Sequence, residues 1–281
     1  MNSYGNRGVR LFEESQYLSF AGLRVHFRIV RPEEEVRNRI LILSSPLIGA
    51  FHWRKLVPEL SELGCLTVLA DLPGFGRSDC DAPQDDEVRA NLLWGVLDEI
   101  DLRTDAPMST WHLMAHGCAC PAILRMAAHC PDSVRTQVHI APTFSINADF
   151  RRQGGAERWY DANIASAGRF RRMIEHYAGH PLDDYVVDRM RAPLLRPGER
   201  AAFSRMLRHA AVPPKVGMGF CPTMAIIGGV DPLMDETRLG QIQTLLPDAE
   251  LHRVKSAGHF PMETHSKALR DYLRGWIRYN D

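Results

Sequence analysis

The sequence lacks any apolar run of about 18 residues, the length that a membrane-spanning helix needs. It also lacks internal repeats, low-complexity segments and an excess of charge of either sign. Its 34 lysine and arginine residues balance 34 acidic residues, and only four of the basic residues are lysines. A balanced charge gives no general attraction to nucleic acid or to anionic lipid. We therefore expect neither nucleic acid nor a membrane as a partner.

The cysteines do not follow the spacing of a disulfide framework. The six of them lie in or beside predicted strands and helices: Cys65, Cys80, Cys118, Cys120, Cys130 and Cys221. Residues 1–20 are polar and charged, without the apolar core of a signal peptide. These features predict a reduced protein located in the cytoplasm.

Short apolar runs alternate with helical patterns along much of the chain. The runs predicted as strands are residues 16–20, 23–30, 40–43, 66–70, 111–115, 137–140, 223–227 and 251–254. Continuous apolar strands separated by helices are typical of a parallel sheet covered on both faces. The length of 281 residues suits one α/β domain with room for an inserted subdomain.

The insertion is predicted between the strands at 137–140 and 223–227. Strand patterns stop there, arginine and aromatic residues recur at helical spacing, and prolines separate three or four short helices. We therefore divide the chain into a core of residues 1–144 and 215–281 and a helical cap of residues 145–214.

The stretch from Ser109 to Pro131 predicts a strand, a tight turn and a helix. The turn reads Ala115-His116-Gly117-Cys118-Ala119. A sharp strand-to-helix turn with small residues on both sides is the setting of a nucleophile elbow. Ala115 and Ala119 supply the small residues, but Gly117 stands where the nucleophile belongs.

Two later turns place an aspartate and a histidine directly after predicted strands. Asp231 follows the strand at 223–227 within Gly228-Gly229-Val230-Asp231-Pro232, and His259 follows the strand at 251–254 within Gly258-His259-Phe260-Pro261. Along the chain the elbow comes first, then Asp231, then His259. An aspartate beside a histidine fixes the imidazole tautomer and supports a general base.

Over nearly its whole length the chain resembles capped proteins of the α/β-hydrolase fold superfamily. That family usually reads Gly-His-Ser-x-Gly-Gly where this chain reads residues 115–120, so the family's serine maps onto Gly117. The turn at residues 71–78 also matches the family pattern. The resemblance implies a mostly parallel central sheet flanked by helices, a helical cap over the active site, and catalytic roles for Asp231 and His259.

Gly117 leaves three interpretations open. The elbow is inactive in a binding protein, or its role passes to substrate or water, or the register slips by one residue and Cys118 is the nucleophile. A zinc site formed by His116, Cys118 and Cys120 is disfavoured because no second ligand pair has zinc-like spacing. No metal and no cofactor are therefore expected.

An oxyanion hole needs backbone N–H donors. One donor is expected from Cys118 at the start of the elbow helix. The second is expected from Leu47 or Ser45, because the intervening Pro46 has no N–H group. His116 is expected beside them in the pocket.

These residues point to a small or medium, largely apolar metabolite that carries an acyl or ester group. The first hypothesis is a lyase-type elimination in a biosynthetic pathway, such as loss of acetate or another acyloxy group, with the dyad of His259 and Asp231 as general base. The alternatives are hydrolysis by dyad-activated water and a catalytically silent ligand-binding protein. The substrate is expected free or as a carrier-protein-bound pathway intermediate, and the protein as a monomer or homodimer.

Two further clusters are weaker candidates for binding. The arginines Arg169, Arg171 and Arg172 fit an acidic ligand but fit a solvated helix face better. The pair Asp183 and Asp184 is better explained as a helix start.

Overall fold

A computed structural model describes residues 15–104, 110–145, 154–209 and 221–281. Its centre is an eight-stranded sheet with the strand order β1-β2-β4-β3-β5-β6-β7-β8. The strands are β1 (Gln16–Phe20), β2 (Leu23–Val30), β3 (Asn38–Ser44), β4 (Cys65–Asp71), β5 (Trp111–His116), β6 (Val134–Ile140), β7 (Thr223–Gly228) and β8 (Glu250–Val254). The predicted mostly parallel sheet is thus confirmed.

Burial explains why the central strands are parallel and apolar. Every residue of β3, β4 and β5 is buried, as expected for strands covered by helices on both faces. Only β1 and β2 run antiparallel to their neighbours. They form a hairpin through Ala21 and Gly22, both with positive φ, a turn that matches the twist of the strands.

Ten α-helices are described around this sheet. They are α1 (Val57–Glu62), α2 (Asp86–Arg103), α3 (Cys120–His129), α4 (Gly155–Asn163), α5 (Ala167–Ala178), α6 (Asp184–Leu194), α7 (Glu199–His209), α8 (Glu236–Leu245), α9 (Pro261–Thr264) and α10 (Ser266–Tyr279). Within the described ranges, none of them has the length and hydropathy to cross a membrane.

Helices α4 to α7 lie consecutively between β6 and β7, where the cap was predicted. Their apolar sides pack together; for example, the rings of Trp159 and Phe203 stack with centroids 5.7 Å apart. The division of the chain at residues 144/145 and 214/215 stays a prediction, and residues 210–220 lie outside the described part.

One predicted helix is shorter than expected. The sequence pattern suggested a helix over residues 53–63, whereas a 3₁₀ turn covers Ala50–Trp53 and α1 begins only at Val57. Pro58 occupies the first turn of α1. Because proline has no N–H group, the first turn of a helix is the position where it fits best.

Candidate active site

The turn between β5 and α3 holds Gly117 in a left-handed backbone conformation. Its φ is +57°, which residues with a side chain rarely adopt. Ala115 and Ala119 on either side are fully buried, and the Thr143 amide donates to the Gly117 carbonyl over 3.1 Å. The backbone therefore makes the sharp turn of an elbow, with glycine at its tip.

His259 and Asp231 are brought together by the turns after β8 and β7. Nδ1 of His259 lies 2.8 Å from Oδ2 of Asp231, and the Leu233 amide donates to Oδ1 of Asp231 over 2.9 Å. Burial raises the pKa of Asp231, but His259 and the Leu233 amide more than offset this, so the pKa is lowered. Because a carboxylate only accepts, Nδ1 of His259 carries the hydrogen and Nε2 offers a lone pair.

The turn that carries His259 packs against the C-terminal end of α5. The His259 amide donates to the Tyr177 carbonyl over 2.7 Å. A Cβ atom on Gly258 would lie only 2.3 Å from the same carbonyl oxygen, so a glycine is needed for this approach. The Val230 amide donates to Ala257 over 3.0 Å, which ties the aspartate turn to the histidine turn. A helix of the predicted cap thus helps to position His259.

His116 links the loop after β3 to the histidine turn. Its Nε2 donates to the His259 carbonyl over 2.8 Å, because a carbonyl only accepts. Its Nδ1 therefore accepts, and the Ser45 hydroxyl donates to it over 3.0 Å. Burial and the neighbouring His259 lower the pKa of His116 to about 3. The ring is therefore neutral and buried, and its hydrogen bond with Ser45 fixes the direction in which the Ser45 hydroxyl points.

The space above Gly117 faces both His259 and Ser45. A Cβ atom on Gly117 would lie 3.4 Å from Nε2 of His259 and 3.8 Å from the Ser45 hydroxyl oxygen. Both atoms offer lone pairs to this space, since Nδ1 of His259 carries the ring hydrogen and the Ser45 hydrogen is donated to His116. A group with two hydrogens to donate fits between them.

The thiols of Cys118 and Cys120, which lie beside the elbow, each contact a different group. Cys118 Sγ lies 3.6 Å from the sulfur of Met206 in α7, and burial raises the pKa of Cys118 to about 12. Cys120 Sγ lies 3.5 Å from the Ala115 carbonyl oxygen. Cys118, Cys120 and His116 therefore contact different groups, which argues against both a shared metal and a thiolate nucleophile at Cys118.

The loop after β3 forms a tight turn beside the elbow. The Ile48 amide donates to the Ser45 carbonyl over 3.0 Å, and the Trp53 indole donates to the Ser44 hydroxyl over 3.0 Å. These bonds hold Ser45 and Leu47 at the carboxyl edge of the sheet. The assignment of the oxyanion donors to Cys118 with Leu47 or Ser45 stays a prediction.

The arginine run in α5 lies on the surface of the cap helices. Arg171 pairs with Glu175 over 3.0 Å and also with Asp184, whereas Arg169 and Arg172 are exposed. Asp184 is the first residue of α6. These clusters form a solvated face and a helix start, as the simpler interpretation held.

A cavity of about 440 Å³ lies beside Ser45, lined by strand β2, the loops after β3 and β4, and helix α6. Gly117 and His259 are not among its lining residues. Four arginines line it: Arg28, Arg77, Arg189 and Arg196. Sequence reasoning missed them because they belong to four separate segments; the one available sign was Arg28, a buried charge within the apolar strand β2.

Comparison with known proteins identifies the family. Residues 41–272 match the model of the alpha/beta hydrolase family, and the chain belongs to this family. A haloalkane dehalogenase of Psychrobacter cryohalolentis is 35% identical over 83 residues. That match covers 28% of this chain and 27% of the dehalogenase, so the aligned part is about a quarter of the curated relative.

Solved structures match over nearly the whole chain. Epoxide hydrolase CorEH superposes with a TM-score of 0.74 at 16% identity, covering 95% of this chain and 99% of that one. Haloalkane dehalogenase DbeA from Bradyrhizobium elkani gives 0.73 at 17%, covering 95% and 98%. Cfl2 from Burkholderia cenocepacia gives 0.70 at 20%, covering 93% and 95%. At these identities the likeness establishes the α/β-hydrolase fold.

Proposed function

We propose that this member of the alpha/beta hydrolase family is an enzyme that hydrolyses a small or medium acyl- or ester-bearing metabolite without a covalent intermediate. His259 acts as the general base on a water molecule, and Asp231 holds its imidazole in the required tautomer. The names of the similar proteins, haloalkane dehalogenase and epoxide hydrolase, favour hydrolysis as the reaction class.

The observation that carries the proposal is the pair of acceptors facing the space above Gly117. Nε2 of His259 and the Ser45 oxygen lie 3.4 and 3.8 Å from the point where a side chain would begin. Water has two hydrogens to donate, so it fits this pair better than a carbon acid or a second acceptor does. A glycine at position 117 leaves room for that water.

The chemical step balances with these groups alone. Water attacks the acyl carbon while its proton passes to Nε2 of His259, and the oxygen of the resulting tetrahedral intermediate is stabilised by backbone N–H groups. The imidazolium, supported by Asp231, then returns the proton to the departing alkoxide. The products are a carboxylic acid and an alcohol, and no bond to the protein forms.

Elimination of acetate or another acyloxy group is the second candidate. A base without a neighbouring nucleophile serves proton removal from carbon equally well, and Gly117 offers no group that would trap an acyl fragment. The pair of acceptors above Gly117 favours water, so elimination ranks second. A catalytically silent binding protein ranks third, because binding a ligand does not by itself require the hydrogen bond that orients His259 against Asp231.

A single-turnover experiment in H₂¹⁸O separates these reactions. The native protein is screened against carboxylic esters, lactones, epoxides and haloalkanes, and the best substrate is then used below the enzyme concentration. We expect ¹⁸O in the product of the first turnover, none in the protein, and no acyl adduct in the mass spectrum of the quenched protein, because an acyl-enzyme on a hydroxyl or thiol would also give a labelled product. A first product without ¹⁸O, with label entering the protein, would indicate a covalent route and contradict the proposal. Unlabelled products with a new carbon–carbon double bond would indicate elimination.

A further inference from the structure

Positively charged side chains from both the core and the predicted cap line the cavity beside Ser45. Arg28 comes from β2, Arg77 from the loop after β4, and Arg189 and Arg196 from α6 and the turn that follows it. Arg77, Arg189 and Arg196 are exposed. The only carboxylate in the cavity lining is Asp71. Four guanidinium groups thus face one acidic group.

Three of these charges, those of Arg77, Arg189 and Arg196, form no ion pair with a carboxylate of the described residues. Arg77 donates to the Ser15 hydroxyl over 2.9 Å, Arg196 donates to the Gly76 carbonyl, and Arg189 lies 4.8 Å from the centre of the Phe51 ring. None of the three pairs with a described carboxylate. Asp71 itself accepts from His26 and from the backbone of Arg77, each over 2.9 Å.

Two of the cavity arginines act electrostatically on Arg28. Burial and the charge of Arg77 lower the pKa of Arg28, Asp71 partly opposes this, and Arg189 lowers it further. Positive charges gathered in one place repel one another. A multiply charged anion in the cavity would offset this repulsion.

Two buried histidines add unsatisfied hydrogen-bonding atoms to the same cavity. His26 and His52 are 2% and 1% exposed, and both line the cavity. Their Nδ1 atoms donate to Asp71 and Glu263, whereas their Nε2 atoms have no hydrogen-bond partner in the part of the chain that the structure describes. Buried polar atoms are normally paired, so a ligand hydroxyl, which can donate to these ring nitrogens, is the expected partner.

We propose that this cavity binds the phosphate ester of a hydroxylated small molecule. Planar guanidinium groups bind phosphate oxygens through paired, charge-assisted hydrogen bonds. Four arginines against one carboxylate suit a dianionic phosphate better than a monocarboxylate. The volume of about 440 Å³ accommodates a ligand of that kind. The inference holds whether or not His259 acts as a base, because Gly117 and His259 do not line this cavity.

Titration calorimetry of the full chain with glycerol 3-phosphate tests the proposal. We expect saturable binding, weakened about tenfold or more in each of the variants Arg77→Gln and Arg189→Gln, since each removes one charge-assisted contact. Arg200→Gln is the matched control, because Arg200 is an exposed arginine of α7 that pairs with Asp161 away from the cavity. Its affinity should equal that of the native protein.

Further ligands identify the chemistry that the cavity recognises. Inorganic phosphate should compete with glycerol 3-phosphate, whereas glycerol should not, and succinate should bind at least about tenfold more weakly. Raising the salt concentration should weaken binding of the phosphate ester. Absence of saturable binding, equal affinity in the native protein and both cavity variants, or succinate binding as tightly as the phosphate ester would each overturn the proposal. Circular dichroism of every variant confirms that it remains folded.

Discussion

The hydroxyl of Ser45 donates a hydrogen bond to Nδ1 of His116 over 3.0 Å, although the two residues are 71 positions apart. His116 in turn donates to the backbone carbonyl of His259. The elbow, the loop after β3 and the histidine turn are therefore joined by one buried chain of hydrogen bonds. The Ser45 oxygen at one end of this chain lies 3.8 Å from the point where a side chain at Gly117 would begin.

Ser45→Ala should lower kcat about tenfold with little change in KM, because the water loses the acceptor for its second hydrogen. Steady-state kinetics on the substrate found in the screen measure this. Ser44→Ala is the control: its hydroxyl accepts from the Trp53 indole, so that variant should lose about 1 kcal/mol of stability and keep its rate. Unchanged kcat in Ser45→Ala would remove Ser45 from the mechanism.

His259→Ala should abolish turnover, and Asp231→Asn should lower it by about 10²-fold or more, because an amide at this position favours the wrong imidazole tautomer. Asp235→Asn, at the start of α8, is a control that should keep full activity. Full activity in His259→Ala, together with changes only in ligand affinity elsewhere, would favour the binding-protein hypothesis.

Gly117→Ser should restore a serine beside His259 and become reactive toward a fluorophosphonate probe, whereas the native protein should not be labelled. The substitution should also cost about 1 kcal/mol of stability, because φ at this position is positive. Gly275→Ser in α10 is the matched control: an added Cβ there meets no atom within 4 Å, so stability should not fall. Labelling of native Ser44 or Ser45 would contradict the nucleophile-free mechanism.

Cys118→Ala should retain activity within about twofold, because the expected contribution of this residue is its backbone N–H group. The thiol should resist iodoacetamide at pH 8 in the folded protein, since burial raises its pKa to about 12. Peptide mapping after labelling measures this. Loss of activity in Cys118→Ala, with His259→Ala still active, would instead identify the thiol as the nucleophile.

Glu199→Gln should change stability in a pH-dependent way. Burial raises the pKa of Glu199 to about 7, so the folded protein retains a proton that the unfolded chain releases near its ordinary pKa of about 4.5. The native protein therefore loses stability as pH rises from about 4.5 to 7. The variant should avoid this loss and gain up to roughly 3 kcal/mol relative to the native protein by pH 8.

Urea unfolding at pH 5 and pH 8 measures the effect at Glu199. Glu157→Gln is the control with the opposite sign, because a hydrogen bond from Arg208 lowers the pKa of Glu157. That stabilisation is present above the unfolded pKa and is lost as pH falls, so this variant should be the less stable one at pH 8. A difference between Glu199→Gln and the native protein that does not vary with pH would contradict the raised pKa.

The pattern of apolar runs and small residues along the chain predicts the elements and the chemistry available at their ends. Apolar runs such as residues 40–43 predict buried strands because burial on both faces requires unbroken apolar segments. The small residues around Gly117 and the glycine before His259 predict tight backbone turns, because only small side chains allow that approach. The chain order of these turns then predicts that His259 and Asp231 form a pair. Nδ1 of His259 lies 2.8 Å from Oδ2 of Asp231.

Which side chains from distant segments meet depends on how the elements pack in three dimensions. Periodicity reports which face of an element is apolar, but it carries no information about a polar side chain's partner on another element. The bond of Ser45 to His116 depends on the packing of two loops, and the cationic cavity depends on Arg28, Arg77 and Arg189 arriving from a strand, a loop and a cap helix. The sequence pattern instead singled out Arg171, which forms ion pairs with Glu175 and Asp184 on the surface.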